Sequence, residues 1–341
     1  MRSRSALVPL GVLAALTLAA CGGSSSAEQG GEASGDAEAT TLTVYTSEPQ
    51  AKIDEVVAAF QEVRPDVEVE VYRAGTGELK TRIATEKESG EIQADVLLAA
   101  DVPTFEGYSE DGDLQVLDGV ETDGVLPSVV DPEGFYVGTR VIPTVIAHNT
   151  EAVETPPASW AELTDEQWQG RVAMPNPDVS GAAAFNLAVW ELTEGLGQEW
   201  IGDLVANQPI VLESNGPVGQ AVAAGTSDLG VVVDYVAREL GQKGSPIAVQ
   251  YPDDGVPYVS QPAGVFADSD NAEAANAFID FLVSAEGQQV AVEQSYLPVR
   301  EDVGVPEGAP EMSEIKLLEP DLTEVAENQD AAVTRFNDLL G

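Results

Sequence analysis

Between Thr41 and Ala99 the apolar pattern alternates between strand and helix periods, and no other feature restricts the fold of this chain more. Leu42 and Val44 alternate with polar neighbours as a strand, which leads into the small polar loop at Thr46-Ser47. Ile53, Val56, Val57 and Phe60 then fall on one helical face, and Pro65 stops that helix soon after Arg64. Val67, Val69 and Val71 alternate again as a second strand. Gly75-Thr76-Gly77 opens another helix, with Leu79 and Ile83 on one face. Asp95 to Ala99 is a continuous apolar strand of the kind found inside parallel sheets. Strand, helix, strand, helix, strand means an α/β fold.

The same logic returns further along. Gly138 to His148 is rich in β-branched residues, and Arg171 to Met174 is a short strand closed by Pro175 and Pro177. Ser180-Gly181 precedes an apolar helix from Ala182 to Leu192. Asp228 to Val233 is a buried strand ending in Asp234-Tyr235, and Pro262 to Phe266 is one more, followed by a helix carrying Ala275, Phe278, Ile279 and Leu282. There is no internal repeat. A single core stops growing near roughly 250 to 300 residues, so two lobes are expected. Crossings are placed near Arg140 to Thr144 and near Pro262 to Val265. These give lobe 1 as residues 41–142 plus 263–341 and lobe 2 as 143–262.

The only cysteine, Cys21, stands directly behind a basic and then apolar N-terminal segment, Arg2 to Ala20. This reads as a lipoprotein signal over residues 1–20, followed by a flexible tether over 21–40 that lacks large apolar side chains. A diacylglyceryl thioether on Cys21 is expected to anchor the chain to the extracytoplasmic face of the cell membrane. With Cys21 lipidated no thiol remains, so disulfides contribute nothing and the fold rests on its core.

The formal charge is −44. Such a field repels phosphate backbones and speaks against nucleic acid as a partner. It fits either a cationic ligand or acidic surface that keeps the chain dispersed in a salty milieu. The carboxylates are spread along the whole chain, which favours dispersal. Catalysis has little to work with: the lone histidine is His148, no cysteine is free, and no nucleophile elbow is present. No enzyme and no cofactor are expected.

Binding has more to draw on. Thr46-Ser47, Gly75-Thr76-Gly77 and Ser180-Gly181-Ala182 place small polar residues at strand ends or helix starts, where backbone N–H groups and a hydroxyl can meet an anion. Asp234 and Tyr235 end a buried strand and can meet a ligand from the second lobe. Tyr45, Glu48 and Asp101 are weaker candidates on the first lobe, and oxygen ligands of this kind suit a hard cation.

Those segments, together with Lys243 to Ile247, Glu286-Gly287-Gln288 and Leu297 to Arg300, resemble a substrate-binding lipoprotein of an ABC importer. The group in question includes ferric-ion binders and binders of phosphonates, organophosphates and polyamines. The resemblance spans Thr41 to Arg300. It implies the two-lobed type II periplasmic-binding-protein fold, a monomer that hinges shut on its ligand, and permease and ATPase subunits as partners. In the ferric-ion binders a histidine, a glutamate and two adjacent tyrosines hold iron beside a synergistic phosphate. Here the first loop, Ser47-Glu48-Pro49-Gln50, has no histidine, and the tyrosine pair has become Asp234-Tyr235. Ser180-Gly181-Ala182 matches the anion-binding segment, and Asn215 falls where a polar neighbour of the anion belongs. The resemblance therefore implies ferric iron held by Asp234, Tyr235, Glu48 and Asp101 beside a phosphate-like anion. The alternatives are an organic phosphate or phosphonate, such as aminoethylphosphonate or a sugar phosphate, then a polyamine, and remotely a secreted enzyme on the same scaffold.

Overall fold

A computed structural model describes residues 40–341. The signal segment, Cys21 and the tether up to residue 39 lie outside the described residues. Among the described residues no helix is long and apolar enough to cross a membrane.

The first lobe opens as expected. β1 (Thr40–Thr46), α1 (Gln50–Val63), β2 (Val67–Arg73), α2 (Thr76–Ser89) and β3 (Val96–Leu98) follow one another, with β2 and β3 parallel to β1 on either side. Arg64 caps α1 in a non-helical conformation because Pro65 disfavours the helical region before it. α2 ends at Gly90, whose φ of 108° suits a residue without a Cβ. The β1–β2 register pairs Thr46 with Arg73, so both strands end side by side. α3 (Val102–Asp111), β4 (Leu114–Gln115) and β5 (Tyr136–Gly138) complete this part of the lobe.

The chain then crosses at 139–141 into β6 (Ile142–Asn149), the first strand of a second sheet. β7 (Val172–Pro175), α4 (Gly181–Leu192), α5 (Gly197–Ala206), β8 (Ile210–Leu212), α6 (Asn215–Ala223), β9 (Leu229–Val233), α7 (Asp234–Gln242), β10 (Ile247–Gln250) and β11 (Tyr258–Val259) build the second lobe. Its strand order is β10-β6-β9-β7-β8, with β11 on β6. The return crossing, Ser260-Gln261, leads to β12 (Pro262–Phe266), which enters the first sheet antiparallel to β3. The first sheet is therefore mixed, in the order β2-β1-β3-β12-β4 with β5 on β12. β3 is buried on both faces, as its unbroken apolar run required, although only one of its neighbours is parallel.

α8 (Ala272–Val283) and α9 (Ala285–Glu293) cover the first lobe. Its core has two faces: Ile53, Phe60 and Phe278 on one side of the sheet, and Leu79, Ile83 and Phe105 on the other. In the second lobe Trp160, Trp190 of α4 and Trp200 of α5 meet in series at steep tilts, with centroids 4.9 and 5.5 Å apart. The last helix, α10 (Leu322–Leu340), sends Val325, Ala332 and Phe336 into this second-lobe core and also packs on α3 of the first lobe. The end of the segment expected with lobe 1 thus straddles both lobes. The reason is its amphipathic face, which meets apolar surface on α4 and α5 as well as on α3.

The crossings are tied to each other. Thr139 donates its N–H to Ser260 (2.9 Å) and its hydroxyl to the Gln261 carbonyl (2.8 Å), and Arg140 N–H reaches Ser260 at 3.2 Å. Gln261 adopts φ 42° and Ser295 φ 67°, conformations uncommon for residues with a Cβ. Gln261 donates its side-chain amide to Glu48, and the Ser295 carbonyl accepts from Arg238.

Candidate ligand-binding site

A cleft of about 600 Å³ lies between the lobes. The residues that precede five helices all line it: Pro49 before α1, Gly75 before α2, Ser180 before α4, Ser214 before α6 and Val233 before α7. Two come from the first lobe and three from the second. Of the five, only Ser180 closes its own helix with a side chain, accepting Ala183 N–H at 3.4 Å. A helix start leaves first-turn N–H groups without an i−4 partner, although in α1 Lys52 N–H reaches the Pro49 carbonyl at 2.9 Å, and each helix brings partial positive charge to its start. In a chain of net charge −44 this concentrates favourable potential for an anion at one place.

The small residues let the walls come close. A Cβ on Gly181 would stand 2.6 Å from the Ala100 carbonyl oxygen and 2.8 Å from Thr76 Oγ1. On Gly77 it would stand 2.1 Å from the Asp178 carbonyl oxygen. These glycines are needed for approach between lobes, and Gly77 itself marks the rim without lining the cleft. Asn215 connects three elements: its amide donates to Ser180 Oγ (3.2 Å) and its Oδ1 accepts Val233 N–H (3.1 Å), so the starts of α4 and α6 are held against the end of β9.

The floor is polar and crowded. Glu48, 1 % exposed, accepts from the Tyr296 hydroxyl and the Gln261 amide, and Arg140 lies 3.3 Å from Oε2. The Tyr296 ring meets Tyr235 edge-on with centroids 4.5 Å apart. Arg140 lies 4.7 Å from the Tyr296 centroid, and the Lys52 ammonium is 4.6 Å from it. Burial, then the nearby Glu48 charge, holds both tyrosine hydroxyls well above their ordinary pKa.

Of the residues singled out from sequence, Ser47, Glu48, Thr76, Ser180, Gly181, Ala182, Asn215 and Tyr235 line one cleft. Thr46 lies behind it, buried, with Oγ1 accepting Glu48 N–H at 3.0 Å. Asp234 and Asp101 are not brought to it. Asp234 begins α7 and turns inward, accepting from Arg238 at 2.9 Å and from the Tyr251 hydroxyl at 3.0 Å. Burial raises its pKa against the pull of Arg238. Asp101 is enclosed by Thr104, Gln329 (2.9 Å) and Lys80 (3.9 Å). Among the described residues no three histidine, cysteine, aspartate or glutamate side chains converge as a metal site. The oxygen donors that do gather are Glu48, Tyr235 and Tyr296. Tyr296, Lys52, Arg73 and Gln261 line the cleft without having been visible as site residues. Tyr296, 61 positions from Tyr235 in the chain, thus stands against it in space with its hydroxyl on Glu48.

A model of the family described as bacterial extracellular solute-binding protein matches residues 92–322. An Fe(3+)-binding periplasmic protein of Serratia marcescens is 25% identical over 297 residues, covering 84% of this chain and 83% of that protein. Among solved structures, AfuA from Actinobacillus pleuropneumoniae with exogenous fructose-6-phosphate bound superposes with a TM-score of 0.81 at 21% identity. It covers 88% of this chain and 98% of its own. Iron-bound HitA from Pseudomonas aeruginosa gives 0.77 at 22% identity, covering 88% and 99%.

Proposed function

The chain belongs to the bacterial extracellular solute-binding protein family, and on that premise we propose that it captures ferric iron together with a phosphate-like anion between its lobes and delivers this cargo to the permease of an ABC importer. Proteins of this kind work outside the cytoplasm with a permease and an ATPase, and its relatives are solute binders, not enzymes. The observation that carries the proposal is that five helix starts line the same cleft as the oxygen donors Glu48, Tyr235 and Tyr296. The helix starts suit the anion, and the donors suit a hard cation. The names of the Serratia protein and of HitA point the same way. Ligand binding shifts the lobes toward the closed arrangement, so the measured affinity includes the free energy of closure. Lipidation at Cys21 is proposed as the anchor that keeps the receptor beside its transporter.

A second reading is an organic phosphate or phosphonate bound without iron. Arg73 favours it, a cleft-lining arginine with no carboxylate partner among the described residues, and so does the turning of Asp234 and Asp101 away from the cleft. A polyamine is the third reading: Glu78, Glu213 and Glu239 on the cleft wall would attract it, while Lys52, Arg73 and the helix N-termini would repel it. The first two readings separate in one experiment on metal-stripped protein. Ferric nitrilotriacetate with inorganic phosphate is titrated while visible absorbance is followed, and fructose 6-phosphate is titrated by calorimetry. A tyrosinate-to-iron band that needs phosphate supports iron. Heat with the sugar phosphate alone and no colour with iron replaces it by the second reading.

A further inference from the structure

Acids outnumber bases 59 to 15 in this chain, so a basic side chain readily finds a carboxylate. Among the described residues every lysine and arginine has one within 4 Å except Arg73 and Lys316. Lys316 is exposed on the C-terminal segment and donates to the Asp253 carbonyl, as a solvated surface lysine does. Arg73 is exposed as well and also donates to a carbonyl, so what sets it apart is its place alone. It is the last residue of β2, in register with Thr46, and it lines the cleft.

Its Nε donates to the Glu48 carbonyl at 3.1 Å, and this is the hydrogen bond its side chain makes among the described residues. That bond anchors one corner of the guanidinium at the start of α1. The two terminal nitrogens are left over. Two residues on, Gly75 precedes α2, and on the opposite wall Ser180 and Ser214 precede α4 and α6. A guanidinium presents paired N–H groups in a fixed plane that matches two oxygens of a phosphoryl group, which a lysine ammonium cannot do.

Building on the anion reading above, we propose that Arg73 is the first lobe's grip on a phosphoryl group of the ligand. The anion seats against the second-lobe helix starts, and closure brings the fork of Arg73 to its remaining oxygens. Arg73 therefore decides two things: that the anion is a phosphoryl group, and that binding it closes the lobes. The same chemistry serves a phosphate bound beside ferric iron and the phosphate of an organic ester.

The test uses the full soluble receptor, its Arg73→Gln and Arg73→Lys variants, and Lys316→Gln as the control for losing an unpaired base elsewhere. Each is titrated with inorganic phosphate, with ferric nitrilotriacetate plus phosphate, and with fructose 6-phosphate, while X-ray scattering reports compaction. The expected result is a loss of at least about tenfold in affinity for Arg73→Gln with whichever phosphoryl probe the wild type binds, together with loss of compaction. Arg73→Lys recovers only part of it, Lys316→Gln matches wild type, and all four share one melting temperature without ligand. Which probe binds identifies the source of the phosphoryl group. Equal affinity and compaction in Arg73→Gln overturns the role of Arg73 and leaves the anion reading standing. A wild type that binds none of the phosphoryl probes overturns both.

Discussion

The Lys52 ammonium on α1 lies 2.6 Å from a carboxylate oxygen of Glu239 on α7, so one ion pair spans the cleft from the first lobe to the second. Lys52 also donates to the Gln294 carbonyl and stands 4.8 Å from the Tyr235 ring centroid and 4.6 Å from that of Tyr296. Its side chain is 13% exposed, which limits screening by water. An ion pair and two cation–π contacts at such a site contribute on the order of 1–2 kcal/mol to the closed arrangement. Lys52→Met removes all of them and keeps the apolar stem. It is expected to enlarge the radius of gyration without ligand and to weaken ligand binding by about tenfold. Glu239→Gln should do the same more weakly, since the cation–π contacts survive. Unchanged scattering profiles for both variants would show that the pair does not hold the lobes.

Gly77 is the next place where the lobes depend on one residue. Alanine inside the first turn of α2 favours the helix by up to ~1 kcal/mol, so Gly77→Ala should keep the melting temperature through an opened arrangement and, like Lys52→Met, enlarge the ligand-free radius of gyration. The closed arrangement is what suffers, because the new methyl would lie 2.1 Å from the Asp178 carbonyl oxygen, a backbone atom that cannot rotate away. The expected outcome is a stable protein that no longer compacts with ligand. Compaction equal to wild type would mean that the rim yields at no cost.

How much of this was legible from residues alone depends on how local the signal is. β1, β2, β9 and β12 announce themselves by alternation or by an unbroken apolar run, and α1 and α4 by their apolar faces. The two-residue strands β4 and β11 have no period to read. α10 is long but polar over much of its surface, and only packing tells which lobe it serves. The cleft followed the same division. Helix-start residues such as Ser180-Gly181 are visible because capping chemistry is local. Tyr296 and Gln261 reach Glu48 from more than 200 residues away, so no spacing betrays them. Asp234 carried a hint of its true role, since Arg238 stands four residues on, where a helix forms an ion pair.

That pair makes the third prediction. Arg238 donates to Asp234 at 2.9 Å and to the Ser295 carbonyl at 2.6 Å, and both side chains are nearly inaccessible to water. Asp234→Ala leaves a buried guanidinium without its counter-charge, at an expected cost of about 3–5 kcal/mol. The combined change Asp234→Leu with Arg238→Met should recover most of it. Urea unfolding measures both, and ligand affinity at low temperature should change little in the double variant. An affinity loss without a stability loss in Asp234→Ala would instead place Asp234 among the ligand-binding groups.

Asp101 gives the chain a pH dependence whose sign can be worked out. Its carboxyl sits at the start of α3, 1 % exposed, accepting from Thr104 and from Gln329 of α10, with Lys80 3.9 Å away. Burial raises its pKa; Lys80, Thr104 and Gln329 pull it down without overcoming burial, and Asp330 adds to the rise. The folded chain thus keeps a proton that the unfolded chain, titrating near the usual value of about 3.9, has already lost. Between that value and the raised folded value, stability contributed by Asp101 falls as pH rises; above the window the cost of the buried charge is constant. Asp101→Asn carries no charge at any pH and can still accept from Gln329. The variant should match wild type near pH 3.5 and gain on it through the window, to a melting-temperature advantage of order 1–3 °C at pH 8. A difference that is the same at both ends of the range, or that reverses sign, would mean that Lys80 compensates the buried carboxylate fully and that burial does not dominate at this site.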